Sequence, residues 1–499
     1  MKKIYILSFS ALLLFIVTGC KKDFLEVLPT QFLTEQQIAE AAANNPAVIA
    51  GSMSGIYTTM FLTGTGGTTN HDDFGQKGYD IYSDFLSSDL ALTRSTYGWY
   101  RRLTEYTITT DYTQNGVYQP WRYYYRIIRS ANSVISALGG NDATPELAAN
   151  KYIMGQAKAM RAHSYFYLAQ LFSISYNPTE PILPIYTDPT QPNQPKSTAQ
   201  EVYSLIVKDL TDAITLLDTY NRTAKHEINK YVAKGILAYV YGAMGGNANC
   251  ALAKTLTSDI IANGGFTIVP REEVAYAGNG AVGGFNNVNS PAWMWGVDLT
   301  SDNGLNLISW WGQMDRYTYS YQWAGDRKGI DKGLFDAIPA NDVRKGQFDS
   351  SPTSSYYLCP TGKFYEPKRI TGGERYVSTD YVYMRIDEIY LLNAEMAAKS
   401  GDEATAKTSL KALLTQRIPS VTYVDALSGQ NLLNEIYLQT RIELWGEGKS
   451  YLAMKRNQAT IVRGTNHLSF VGVPIPYNDP RLTFLIPQSE IQNNPFIDN

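Results

Sequence analysis

Cysteine and histidine are scarce, with three Cys and four His in 499 residues. Cys20, Cys250 and Cys359 are too few for a disulfide framework and lie far outside any metal-ligand spacing. His71, His163, His226 and His467 form no H-E-x-x-H pattern, so a histidine-bound catalytic metal has no support. Neither sign of charge is in excess. The 43 Lys and Arg face 46 Asp and Glu, a formal net charge of −3, which provides no electrostatic reason to approach nucleic acid. There is no G-x-S-x-G nucleophile elbow and no G-x-G-x-x-G opening a helix. Gly448-Lys449-Ser450 has the end of a phosphate loop, but Glu443 stands where the first glycine should be and would repel phosphate. Beyond the N-terminal stretch that ends at Cys20, no apolar run approaches the 18 or so needed to cross a bilayer. No cofactor and no metal is expected. A pair of catalytic carboxylates stays open as a minority reading, since spacing along the chain does not fix their separation in space.

The stretch from Met1 to Gly19 reads as a secretory signal: Lys2 and Lys3, an uncharged run from Ile4 to Val17, then small residues before Cys20. Val17-Thr18-Gly19-Cys20 resembles the lipobox of bacterial lipoproteins, which implies cleavage before Cys20 and acylation of that residue. Several acyl chains make a lasting anchor where one binds only marginally. Residues 20–36 are expected to form a lipidated leader ahead of a water-soluble body, 37–499.

Helical periodicity is strong in that body. One helix is expected over Trp121–Leu138, closed by Gly139-Gly140, and a second over Pro145–Phe172, the two forming an antiparallel pair. A third is expected from Ser197 or Thr198 to Leu217, where Ser197 with Gln200 and Thr198 with Glu201 both fit a capping box. Two later segments, YVAKGILAYVYGAMGGNANCALAKTL and RIDEIYLLNAEMAAKSGDEATAKTSL, align when Gly246-Asn247 is set on Gly401-Asp402. Small residues flanking a Gly-Asn or Gly-Asp turn let two helices approach closely, as in tetratricopeptide hairpins. Two copies are too few for a free solenoid, so they read as pairs embedded in a larger domain. Residues 262–378 between them lack this periodicity and are expected to be an irregular insert of long loops and short strands.

Several segments together resemble the SusD-like (RagB/SusD) family of outer-membrane nutrient-binding lipoproteins of Bacteroidetes. Cys20-Lys21-Lys22-Asp23-Phe24-Leu25-Glu26 is similar to the family's mature opening, and Trp121, Tyr125, Ile128, Ala131 and Asn132 to its first long helix. Ala157-Lys158-Ala159-Met160-Arg161-Ala162 resembles the next, Met384 through Glu395 its arginine-and-glutamate helix, and Arg441 through Arg456 its glutamate-glycine helix. Phe484-Leu485-Ile486-Pro487-Gln488 with Asn494-Pro495 resembles its closing segment. Ser450, Ala453 and Asn457 depart from the arginine, aspartate and tryptophan more usual in the family. The resemblance implies a mostly α single domain, with tetratricopeptide-like helix pairs as scaffold plus a loop-rich, aromatic-rich insert. It also implies a cell-surface location, a SusC-like TonB-dependent transporter as partner, and binding in place of catalysis.

The chemistry that is abundant is aromatic: 37 Tyr, 17 Phe and 8 Trp. Five of the tryptophans, Trp293, Trp295, Trp310, Trp311 and Trp323, crowd into one short stretch of the insert. Flat aromatic faces suit the apolar faces of sugar rings, and neighbouring polar side chains satisfy ring hydroxyls. Trp293 and Trp295 alternate in one strand and read as core, as do Trp121 and Trp445 in helices. Trp310 and Trp311 follow a polar loop, so at least one of these rings is expected to reach solvent. Tyr317, Tyr319, Tyr321 and Trp323 alternate as one face of a hairpin, either buried or offered to ligand. Trp99, with Tyr97 and Tyr100, is a second loop candidate. The expected ligand residues are therefore Trp99, Trp310, Trp311, Tyr319, Tyr321 and Trp323 for stacking, with Asp315 and Arg316 as polar contacts. An oligosaccharide is the expected ligand, with peptides or another nutrient, a surface glycoside hydrolase and a pure assembly scaffold as alternatives. Arg385, Glu388 and Glu395 are expected to form ion pairs along one helix. Cys250 and Cys359 read as two buried free thiols.

Overall fold

The longest apolar-faced stretch of the chain, Ala148–Phe172, forms one unbroken helix buried along nearly its whole length, and the rest of the scaffold is laid against it. The computed structural model describes residues 45–278 and 283–498. The expected signal peptide, the leader and Cys20 lie outside the described residues. In chain order the principal helices are α1 (Pro46–Thr59), α2 (Gln76–Leu86), α3 (Asn115–Ala137), α4 (Ala148–Phe172), α5 (Ala199–Leu216), α6 (Lys230–Met244), α7 (Gly246–Asn263), α8 (Ile386–Lys399), α9 (Glu403–Leu414), α10 (Gly429–Glu443) and α11 (Ser450–Arg456). Among the described residues the strands are few and short, and they pair only in twos. The domain is mostly α.

Helices α3 to α7 pack in sequence, each on the next, α8 packs on α7, and α9 packs on α8. Arg161 in α4 holds the first three together: its guanidinium makes two 2.8 Å bonds to Asp209 of α5 and one of 2.8 Å to Asn132 of α3. Such a bidentate pair fixes geometry as well as charge. Thr198 caps α5 in a capping box with Glu201. Helix α3 starts at Asn115, ahead of the expected Trp121. Pro120 lies inside it, and burial of Gly116, Val117 and Pro120 against the core offsets the hydrogen bond that proline removes.

The internal repeat is structural. The pairs α6/α7 and α8/α9 are both helical hairpins, and the aligned Gly246 and Gly401 both adopt positive φ, 77° and 86°, which a side chain would strain. The hairpins meet through Asn393 of α8, whose amide donates to Thr257 and Ser258 of α7, each at 2.9 Å. Lys254 of α7 reaches Asp402 at the start of α9.

Apart from Glu395–Lys399, which pair along the helix, the charges on α8 act between elements. The Arg385 guanidinium reaches Glu447 at 2.8 Å and Glu443 at 2.9 Å, whereas toward Glu388 only its backbone N–H donates. The pairing of i and i+3 side chains along one helix is thus corrected: this arginine sits at the helix N-cap, where its side chain turns to the end of α10. Arg344 and Arg417 bond the same Glu443, and Lys363 bonds Glu447. With Asp342 and Asp387, four cations face four carboxylates in a buried cluster. Burial would raise the Glu443 carboxyl, but Arg417 and Arg385 hold it well below its usual range. Glu395, near the other end of α8, bonds Arg456 and Lys399, and these outweigh burial and bring it to about 2.

Four antiparallel ribbons complete the fold. Strands β1 (Leu90–Arg94), β2 (Pro181–Pro184), β3 (Lys196–Thr198), β4 (Trp293–Val297), β5 (Arg327–Ile330), β6 (Tyr381–Arg385), β7 (Thr460–Val462) and β8 (Pro474–Pro476) pair as β1 with β5, β2 with β3, β4 with β6 and β7 with β8. Ribbon β4–β6 ties the irregular region to the start of α8. Trp293 and Trp295 in β4 are buried, as is Trp121 in α3; Trp445 is buried too, in a turn just past α10 and not in a helix. Cys250 and Cys359 are buried and unpaired.

Candidate ligand-binding site

Pairing of β1 with β5 sets the loop after β1, residues 95–100, beside the segment just before β5. A buried carboxylate joins them. Asp326 accepts backbone N–H bonds from Thr96, from Tyr97 at 2.7 Å and from Trp99 at 3.0 Å, while Thr96 Oγ1 donates to the Gly325 carbonyl. Backbone donors left without a ladder or helix partner need an acceptor, and an ionised one binds them more strongly than a neutral one. Two aromatic segments that are remote from one another in sequence therefore present their rings together.

His71 stacks on Trp99, with ring centroids 5.2 Å apart and 2° between the planes, and its Nδ1 is hydrogen bonded to the Tyr321 hydroxyl at 2.5 Å. Burial lowers the pKa of His71 below its ordinary value, so the ring is neutral at pH 7. Tyr321 is also in contact with Trp99 and, edge-on, with Tyr97. Tyr97 is 61% exposed and Trp99 half-buried, whereas Tyr321 shows only 8% of its surface and braces the other rings.

The run 317–323 is not a hairpin face. Ser320 caps a short helix, Tyr321–Ala324, by accepting the Trp323 N–H, and the turn before it carries Tyr319 to the same side as Trp323, 5.5 Å between centroids. Trp323 is 38% exposed and Tyr319 half-buried beneath the Arg375 guanidinium. Gly372 lies behind Trp323 with φ +65°, where an added Cβ would stand 2.8 Å from the indole. The close approach of this backbone supports the ring from below.

Four expected ligand residues fall elsewhere. Trp310 and Trp311 are each only 1% exposed, so neither ring reaches solvent. Ser309 caps a short helix over Trp310–Met314 that turns both rings inward onto Phe364, and Lys77 lies over Trp310. Asp315 is fully buried and accepts from the backbone of Tyr317, Thr318 and Glu366, and burial still pushes its carboxyl up to about 6. Its role is to hold the turn. Arg316 is half-buried between the rings of Tyr317 and Tyr356. The structure thus brings Trp99 and Tyr321 of the expected set together, with the loop candidate Tyr97 beside them, sets Tyr319 against Trp323 as a second ring pair on the same segment as Tyr321, and adds His71. No sequence signal marked His71. Gly448 and Lys449 form no phosphate loop: the Gly448 N–H donates to Asp84, and Lys449 is buried beside Glu388.

A helical-repeat scaffold thus carries the loop-borne aromatic rings. Two family models match the chain: one described as "Starch-binding associating with outer membrane", of SusD-like type, over residues 24–241, and one described as the SusD family over residues 343–498. Between them they cover most of its length, and the chain belongs to the SusD-like family. A SusD-like protein of Formosa agariphila is 23% identical over 239 residues, 46% of this chain and 41% of that protein, so the match spans less than half of that curated relative. Among solved structures, a SusD-like carbohydrate binding protein from Bacteroides vulgatus is 25% identical with a TM-score of 0.72, over 90% of this chain and 97% of the other. A SusD superfamily protein from Bacteroides thetaiotaomicron is 23% identical with a TM-score of 0.73, over 90% and 98%. No helix among the described residues is long and apolar enough to cross a membrane.

Proposed function

We propose that this chain is a cell-surface binding lipoprotein that captures an oligosaccharide on the aromatic shelf and delivers it to a SusC-like TonB-dependent transporter, anchored through acylated Cys20. The observation that carries the reading is the joining of Tyr97 and Trp99 to Tyr321 through Asp326 and direct ring contacts, with the Tyr319–Trp323 ring pair carried on the same short segment as Tyr321. Rings already locked against one another bind without losing side-chain freedom, which favours stacking on a sugar face. The family described as starch-binding and outer-membrane associated supports the ligand class and location. Binding is favoured over hydrolysis because Asp315 and Asp326 are buried and committed to backbone donors, which leaves neither available as acid or base. The test is titration of the lipid-free protein with soluble glycans and peptide digests, with product analysis. Binding of a glycan without turnover, abolished in Trp99→Ala/Trp323→Ala, is expected. Response to peptides alone, or cleavage of the glycan, would contradict it.

A further inference from the structure

A second concavity lies well apart from the shelf in chain and in lining residues. It is a cleft of about 720 Å³ between the exposed face of α3, the loop over residues 186–193, and the C-terminal helix Gln488–Asn493. Its aromatic floor is fixed. Trp121 and Tyr125 are 4.8 Å apart, Tyr186 meets Tyr125 edge-on at 5.9 Å, the Trp121 indole N–H donates to Glu490, and the Tyr125 hydroxyl donates to the Pro184 carbonyl.

Above this floor stand Arg122, Arg126 and Arg129, all exposed and all lining the cleft. The spacing i, i+4, i+7 puts them on one face of α3 over about 10 Å of helix axis. None of the three guanidinium groups bonds a carboxylate among the described residues; Arg122 lies near Asp73, which is already held by Gly66 and Thr68. The two acids of the cleft are engaged locally. Asp188 accepts from the backbone and hydroxyl of Thr190, and Glu490 accepts from Trp121 and Asn494. The buried Arg161, Arg344, Arg385 and Arg417 each bond a carboxylate. Here the cations lack carboxylate partners, and the chain as a whole is acidic.

We propose that this cleft is a second binding site, for an oligosaccharide bearing carboxylate or sulfate groups. Guanidinium forks match either oxyanion with two parallel bonds, and a row of them reads charge repeated along a chain better than it reads a single small ion. The half-buried rings of Tyr125 and Tyr186, with the buried Trp121 packed beneath them, accept the apolar faces of the same chain. The concave shape, walled by a loop and a terminal helix, suits an oligomer better than the flat face of a lipid bilayer.

The proposal does not depend on the shelf, and the experiment separates the two. The wild-type protein is titrated at low and at physiological ionic strength with hexagalacturonate, a sulfated carrageenan oligosaccharide, maltohexaose, and vesicles containing anionic phospholipid. Expected is binding of at least one charged oligosaccharide that weakens with salt and drops at least tenfold in Arg126→Ala/Arg129→Ala, while Trp99→Ala/Trp323→Ala leaves it unchanged. Arg126→Lys/Arg129→Lys keeps the charge but not the fork and is expected to recover part of the loss. The two charged probes distinguish carboxylate from sulfate. Absence of binding to both, binding undiminished in the arginine variant, or binding to vesicles alone would overturn the proposal.

Discussion

The helical scaffold and the aromatic shelf solve the same physical problem in different ways. In α3 to α10 the backbone donors are satisfied within the helices, and side-chain charge is used between elements, as in the four-against-four cluster that ties the end of α10 and the start of α8 to Arg344 and Lys363 of the irregular region. In the irregular region the backbone has few ladders, and buried aspartates collect its donors instead. Asp326 takes three from residues 96–99, Asp315 three from 317, 318 and 366, and Asp380 two from Val288 and Leu299. The scaffold distributes its stability over many contacts, whereas the shape of the shelf depends on a few single residues. Substitutions should therefore cost stability in one region and ligand affinity in the other.

The largest expected effect is in the scaffold. Glu443→Ala leaves Arg344, Arg385 and Arg417 without a shared carboxylate and should cost roughly 3–5 kcal/mol in chemical denaturation. A global loss well under about 1 kcal/mol would break the contrast. Acid acts on the same region. Glu395 and Glu447 are each held at about 2 in the folded state against a usual 4.5, since their arginine and lysine partners outweigh burial. Their contribution is present above about pH 4.5 and lost as pH falls toward 2, on the order of a few kcal/mol in all. Glu395→Gln should flatten part of that slope in acid titrations followed by circular dichroism.

The shelf should respond more locally. Asp326→Asn keeps one acceptor oxygen but loses the charge that gathers three donors, and should cost about 1–3 kcal/mol. The sharper readout is faster hydrogen exchange at the amides of Thr96, Tyr97 and Trp99, together with weaker glycan binding, while amides of α4 stay protected. Trp323→Ala is expected to lower glycan affinity about tenfold, or about 1.4 kcal/mol, while changing stability by no more than about 0.5 kcal/mol. The smallest effect on binding is expected from Trp311→Phe, a buried change that should leave glycan affinity within about twofold and appear only in stability.

The legibility of the sequence follows the same division. The body of α4 and its end at Phe172, and the cap of α5, were readable because each rests on residues three or four apart, and the α6/α7 and α8/α9 repeat because the two segments align at a glycine turn; α4 starts at Ala148, three residues after the expected Pro145. The irregular region was readable as aromatic and loop-rich, but the direction of each ring was not. Trp310 and Trp311 face inward because of Phe364 and Lys77, both distant in sequence, and Tyr97 and Trp99 face outward because of Asp326, which lies on the far side of the whole α3–α7 stack in chain order. One local signal was available: Ser309 and Ser320 each cap a short helical turn of aromatic and polar side chains, which excludes the alternating hairpin. Arg385 was mispaired for a related reason, since i+3 spacing does not express that a residue is the N-cap and points away from the helix.

The central claim is that the ligand meets the exposed rings and not the buried ones, and calorimetric titration of one glycan against two paired variants tests it most directly. Trp99→Ala/Trp323→Ala removes one half-buried and one exposed indole, and Trp310→Phe/Trp311→Phe replaces two fully buried ones with rings the core can still pack. The account predicts that binding is lost in the first pair and retained in the second. Retention in the first with loss in the second, both variants being folded, would contradict it.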